Sequence, residues 1–193
     1  MIIGITGGSG SGKTTLLKQL QKQGVLVLDC DAIYHRLLKS DPVLLAAIEA
    51  HFPSTVTNGE LQRKKLGSIV FSDENALRNL NKITHTAIHA EVLRQLENVS
   101  SPVAIDAIAL FESGLAKLCD VTVAVVAPVD VRIQRLVDRD GISEEYARSR
   151  INAQPSEDWY RQRCDYVLEN QADEADFQGK CLAFFKELDI MNV

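Results

Sequence analysis

Ile2-Ile3-Gly4-Ile5-Thr6-Gly7-Gly8-Ser9-Gly10-Ser11-Gly12-Lys13-Thr14 decides how the rest of the chain is read. Ile2, Ile3 and Ile5 form a short β-branched run that suits a buried strand. Gly7 to Thr14 match G-x-x-x-x-G-K-[ST], the P-loop. The glycines let the backbone curl so that N–H groups point at an anion. Lys13 supplies a positive charge for β- and γ-phosphates, and Thr14 a hydroxyl ligand for Mg²⁺. Thr15 to Gln23 reads as a helix with Leu16, Leu17 and Leu20 on one face, so the loop ends on a helix N-terminus that favours phosphate. A Gly/Ser linker matching by accident would not lie between an apolar strand and an amphipathic helix that stops at Gly24. The stretch predicts triphosphate binding through Gly8, Ser9, Gly10, Ser11, Gly12, Lys13, Thr14 and Thr15.

The 193 residues suit one α/β domain with insertions, and 46% apolar with 24% charged residues is ordinary for a globular chain. No apolar run approaches the ~18 residues of a membrane span. Met1 leads straight into the first strand, which leaves no room for a targeting peptide and makes the cytoplasm the expected location. A net charge of −5 argues against nucleic acid as a partner. Seven of the eleven arginines fall between Arg132 and Arg163, where there is no lysine. Arginine is the bidentate phosphate binder, but a solvated helical face with Asp130, Asp138, Asp140, Glu144, Glu145, Glu157 and Asp158 reads equally well. Cys30, Cys119, Cys164 and Cys181 form no C-x-x-C pair, so buried, reduced thiols are expected.

Val25 to Leu28 is a second buried strand ending at Asp29-Cys30-Asp31. Ligands of parallel α/β sheets sit beyond the carboxyl ends of strands, which makes these acids candidates for chemistry, although Asp31 could equally cap the helix 32–38. From Asp41 to Leu96 the pattern is helical without a strand signal: a helix after Asp41-Pro42, a loop 53–59, a short helix with Leu61, Leu66, Ile69 and Val70, and a long helix starting at Ser72. Val103-Ala104-Ile105 is strand three and ends at Asp106, the form of the second Mg²⁺-site acid of P-loop proteins. Glu112 follows in a loop on the same edge. Strand four is 121–126. The helix after Pro128 has Ile133, Leu136 and Val137 on one face and Arg132, Arg135 and Arg139 on the other, and it stops at Gly141. Helices capped by Ser143 and Ser156, strand five at 165–168 and a last helix with Phe177, Cys181, Phe184, Phe185 and Leu188 at core spacing complete the chain. Five strands alternating with helices predict a three-layer α/β fold with a parallel sheet.

An arginine-bearing segment late in a small P-loop chain suggests a lid that excludes water, so that the γ-phosphoryl goes to an acceptor. At this point the residues resemble the dephospho-CoA kinase family over nearly the whole length. The resemblance is carried by Thr6 to Thr15, Asp29-Cys30-Asp31, Gly59-Glu60-Leu61-Gln62-Arg63, His85, Leu110-Phe111-Glu112-Ser113, Arg135 to Asp140, and Gln154 through Asp165-Tyr166-Val167 to Asn170. It implies ATP- and Mg²⁺-dependent phosphorylation of the ribose 3′-hydroxyl of dephospho-CoA, the last step of coenzyme A synthesis. It further implies Asp31 as the base, Asp29, Asp106 and Glu112 around acceptor and metal, and Arg139 on the ATP phosphates. Arg63 and His85 would belong to an acceptor lobe, and Asn170 would mark a strand exit beside adenine. One P-loop kinase domain is expected, with core 1–35, 100–130 and 164–193, helical lobe 36–99 and lid 131–163. Ile108, Thr86 and Ala172 depart from the family pattern, where Pro, Pro and Gly are usual. A nucleoside or nucleotide kinase of the same fold and a non-catalytic nucleotide-binding module are the competing readings. Oligomeric state is not legible.

Overall fold

A computed structural model describes residues 1–171 and 173–190, and Ala172 lies outside the described residues. Strands β1 (Ile2–Thr6), β2 (Leu26–Asp29), β5 (Val103–Asp106), β6 (Val121–Val126) and β7 (Tyr166–Glu169) form a five-stranded parallel sheet in the order β2-β5-β1-β6-β7. The central strand is the first in sequence. Ile5 pairs with Asp106 and Thr6 with Ala124, so Asp106 reaches the same sheet edge from which the P-loop leaves.

Strand alternation sorts β6 into two faces. Val123 and Val125 pack with Ile3 and Ile5 against Leu16 and Leu20 of α1 (Lys13–Lys22) and Phe177, Cys181, Phe184 and Phe185 of α9 (Glu174–Glu187). Ala124 and Val126 face the other way and pack on Tyr160 of α8 (Glu157–Arg163). On that second face Gly4 leaves room for Leu110 and Cys119. The result is the three-layer α/β arrangement. Asp165 ties β7 to β6, its Oδ2 accepting from Thr122 N–H at 2.8 Å and Oγ1 at 2.7 Å. Helices α6 (Val129–Asp140) and α7 (Glu144–Asn152) share their own core of Ile133, Leu136, Ala147 and Ile151. Ser143 and Ser156 cap α7 and α8, as their spacing predicts.

The chain divides into two compact units, Met1–Leu28 with Ser100–Val193, and Asp29–Val99. Within the second, α2 (Cys30–Ser40), α3 (Pro42–His51) and α4 (Arg63–Val70) pack on the 23-residue α5 (Glu74–Leu96). Three expectations for this unit need correction. Val56–Thr57 and Glu60–Leu61 are not loop and helix but two short antiparallel strands, β3 and β4. Asn58 (φ 54°) and Gly59 (φ 79°) turn the hairpin, and Asn-Gly is a strong signal for that turn. Helix α5 is capped by Asp73, whose carboxylate accepts from Asn75 N–H at 2.8 Å, whereas the Ser72 hydroxyl donates to the end of α4. Helix α2 is capped by Asp29, not Asp31. Among the described residues the four cysteines form no disulfide, and Cys119 and Cys164 are only half-buried.

Candidate active site

The loop between β1 and α1 is shaped by its glycines and by what lies behind it. Gly12, the N-cap of α1, has φ 103°, a conformation L side chains rarely adopt. It offers no side-chain cap, and the first turn of α1 has no acid, so the leading amides and dipole of the helix are left for an anion. Gly8 is required for a different reason: a Cβ there would collide with the Arg132 guanidinium. Ser11 N–H closes the loop on Gly8 O at 3.2 Å.

Three successive carbonyls of the loop are held from outside. Ser9 O accepts from Arg132 Nε at 2.9 Å. Gly10 O and Ser11 O accept from Arg135 Nη1 at 3.2 and 3.3 Å, and Ser11 O also from Asn170 Nδ2 at 2.9 Å. Arg135 in turn bonds Asn170 Oδ1 at 2.9 Å. In a trans peptide the N–H points opposite to its carbonyl, so this grip turns the amides of Gly10 and Gly12 toward the inside of the loop, while that of Ser11 is engaged by Gly8 O. The amide and hydroxyl of Ser9 are both engaged by Gln154, at 2.9 Å each.

Lys13 Nζ lies 3.7 Å from Asp106 Oδ1, with both side chains largely buried. The chain beyond Asp106 is pinned to β1 by Ala107 N–H to Ile5 O at 3.0 Å and by Thr6 Oγ1 donating to Ile108 O at 3.1 Å. The Ile108 departure thus keeps a fixed backbone path while its side chain is exposed. Thr86, the second departure, lies inside α5 with its hydroxyl on Lys82 O at 2.8 Å.

Arg139 is exposed near the end of α6, chelated by Asp140 at 2.7 and 3.0 Å. Arg150 adds a bond to Asp140 at 2.9 Å. These bonds, led by that from Arg139, hold the Asp140 carboxyl down at about 2. Glu112 is exposed, close enough to Tyr160 to help raise that phenol to about 12, an increase owed first to burial. In the other unit, Asp29 Oδ1 accepts from Ala32 N–H at 2.9 Å, and Asp31 is exposed in the first turn of α2. Arg63, exposed at the start of α4, acts electrostatically on Tyr34. His85 is half-buried in α5.

The donors fit a magnesium ion presented with phosphates. Thr14 and Asp106 offer hard oxygen ligands, and among the described residues no group of three or more His, Cys, Asp or Glu could form a protein-only cage. Mg²⁺ characteristically takes one or two protein oxygens and completes its shell with water and substrate phosphate.

A family model described as "CoaE: Dephospho-CoA kinase" matches residues 1–176. The chain belongs to the dephospho-CoA kinase family. A dephospho-CoA kinase of Corynebacterium diphtheriae is 38% identical over 175 residues, 88% of either chain. The crystal structure of TT1252 from Thermus thermophilus superposes with a TM-score of 0.82 at 34% identity, covering 97% of both chains. Dephospho-CoA kinase from Campylobacter jejuni gives a TM-score of 0.68 at 26% identity, covering 97% of this chain and 96% of that one.

Sequence reasoning missed the residues that grip this family member's P-loop. Arg132 and Arg135 were read on the arginine face of one helix, and Arg135 and Gln154 among the residues that carry the resemblance, but none of the three was assigned to the P-loop. A signal was present: Arg132 lies one turn before Leu136, on the buried stripe of α6 and not on its solvent face.

Proposed function

We propose that this chain transfers the γ-phosphoryl group of ATP to the ribose 3′-hydroxyl of dephospho-CoA, giving coenzyme A in the last step of its synthesis. The observation that carries the reading is a complete P-loop, with Lys13 beside Asp106, in a chain that matches the family over residues 1–176. Transfer of this kind is mostly positioning and neutralisation of charge. Lys13 and the inward amides receive the triphosphate, and Arg139 brings further charge from the segment 131–163, which acts as the lid. Asp31 orients the acceptor hydroxyl and takes its proton. Asp29, Asp106 and Glu112 shape the acceptor and metal region, and Arg63 and His85 serve the acceptor in the helical lobe 36–99. Adenine lies by the strand exit at Asn170. Thr14 and Asp106 hold Mg²⁺, which when bound neutralises charge on the phosphate oxygens.

The partners are small molecules. Among the described residues no helix is long and apolar enough to cross a membrane. The negative net charge favours neither nucleic acid nor an anionic surface, and the cytoplasm is the proposed compartment.

The test is coupled ATP turnover by the purified protein with dephospho-CoA and with a panel of nucleosides and nucleotides. Turnover with dephospho-CoA far above the panel is expected. Preference for a nucleoside would put the chain among the nucleoside kinases, and ATP binding without transfer to any acceptor would make it a binding module.

A further inference from the structure

Arg132 has no part in the transfer just described, yet it is a buried charge, 8% exposed. Among the described residues no carboxylate comes within ion-pair distance of it. Its guanidinium has two neutral acceptors, Ser9 O at 2.9 Å and Gln154 Oε1 at 2.9 Å. The nearby Tyr160 hydroxyl is buried and forms no hydrogen bond. Burial pushes the guanidinium below its ordinary range, a shift that Tyr160 and Glu157 oppose. A desolvated cation without a counter-ion is costly, and its persistence calls for a compensating interaction.

The bonds around Arg132 converge on one residue. Gln154 Oε1 accepts from both Arg132 Nη2 and Ser9 N–H, Gln154 Nε2 donates to Ser9 Oγ, and Arg132 Nε donates to Ser9 O. Ser9 is therefore held by its amide, its hydroxyl and its carbonyl. The flat guanidinium lies against Gly8, where a side chain would exclude it. Its backbone also adjoins Gly10, so the start of α6 is fitted to the outer wall of the P-loop. Gln154 comes from the turn between α7 and α8, and the grip links that turn to the loop.

We propose that Arg132 and Gln154 are positioning residues for the nucleotide: by gripping Ser9 they hold the P-loop in its phosphate-receiving form, and Arg132 places behind the loop a positive charge that a bound triphosphate balances. This deepens the kinase reading and rests on it. Neither residue touches the reacting atoms. Both act through Ser9, so their loss is felt in ATP affinity and not in acceptor affinity.

Calorimetric titration with ATP, without acceptor, and steady-state kinetics with both substrates test the proposal. Arg132→Met raises the Kd for ATP about 10-fold or more, the size expected of a lost charge-assisted bond. The KM for dephospho-CoA stays within about 2-fold. Gln154→Ala, a milder change in an interhelix turn, raises the ATP Kd in the same selective way and serves if Arg132→Met does not fold. Gln154→Glu keeps both acceptor bonds but gives Arg132 a carboxylate counter-ion, and so it also raises the ATP Kd. The double variant loses less than the product of the two single losses, since both break one ring of bonds. Unchanged ATP affinity in Arg132→Met and Gln154→Ala overturns the proposal, as does equal weakening of both substrates, which marks general damage. A wild-type protein that binds no ATP overturns the proposal and the kinase reading together. Wild-type transfer with unaltered variants overturns the proposal alone.

Discussion

A single methyl group at residue 8 has nowhere to go. Gly8→Ala would push against a guanidinium that is itself bonded to Ser9 and Gln154, so the side chain can yield only by breaking that ring. The expected outcome is a rise of about 10-fold or more in the Kd for ATP, read by titration. The acid that ends β2 and the acid in the first turn of α2 have separate parts as well. Asp29 caps α2, so Asp29→Ala should destabilise the fold by about 1 kcal/mol in urea denaturation, while Asp29→Asn, itself a good cap, should not. Asp31 makes no cap, and Asp31→Asn should leave unfolding unchanged but lower turnover with dephospho-CoA about 10²-fold or more. A fully active Asp31→Asn protein would remove the proposed base. At this scale the nearness of Lys13 and Asp106 was legible, because strand ends and loop spacing bring both to one sheet edge. The sequence showed Arg132 only as one of three arginines on a helix face, and the spacing to Leu136 was the one hint that this arginine is buried.

Among the elements, those with strong local rules were the most legible. β1, α1, β6 and α9 follow from β-branched runs and helical stripes. The hairpin β3-β4 was hidden because each strand has two residues, too few for alternation to show. Its Asn58-Gly59 turn was the readable part. Long α5 carries a second kind of information. Glu91 on this helix gathers Arg94 at 2.8 and 2.7 Å, Arg36 of α2 at 2.7 Å and Gln95 at 2.7 Å. The bonds from Arg94, opposed by burial and reinforced by Arg36 and Gln95, bring its carboxyl from 4.5 down to about 2. The folded state therefore prefers the ionised form. That contribution to stability is fully present above about pH 4.5 and is lost as pH falls toward about 2. Glu91→Gln should melt at a lower temperature than the wild type at pH 7, and the gap should close as the pH of the calorimetric scan is lowered to about 2. A gap independent of pH would show that the ionised carboxylate is not what holds α2 to α5.

At the scale of the whole molecule, the sheet order β2-β5-β1-β6-β7 explains why the functional residues are dispersed in sequence. Parallel neighbours need long crossovers, and here the crossovers carry the chemistry: the P-loop, the segment after Asp106, and the arginine-rich helices. The unit between Leu28 and Ser100 is built of helices and one short hairpin, and contributes no crossover of its own beyond linking β2 to β5.

Ile2–Thr6 leaves the exit tunnel well before its two sheet partners, Val103–Asp106 and Val121–Val126. At about 5–20 residues per second, the strand waits about 5–20 s for a neighbour. Throughout that interval an apolar β-branched segment is exposed on the nascent chain, an obvious client for a co-translational chaperone. Stalled chains ending before residue 100 should have this segment cleaved rapidly by added protease, and chains extended past residue 160 should protect it. Early protection would mean that the strand finds temporary shelter elsewhere in the growing chain.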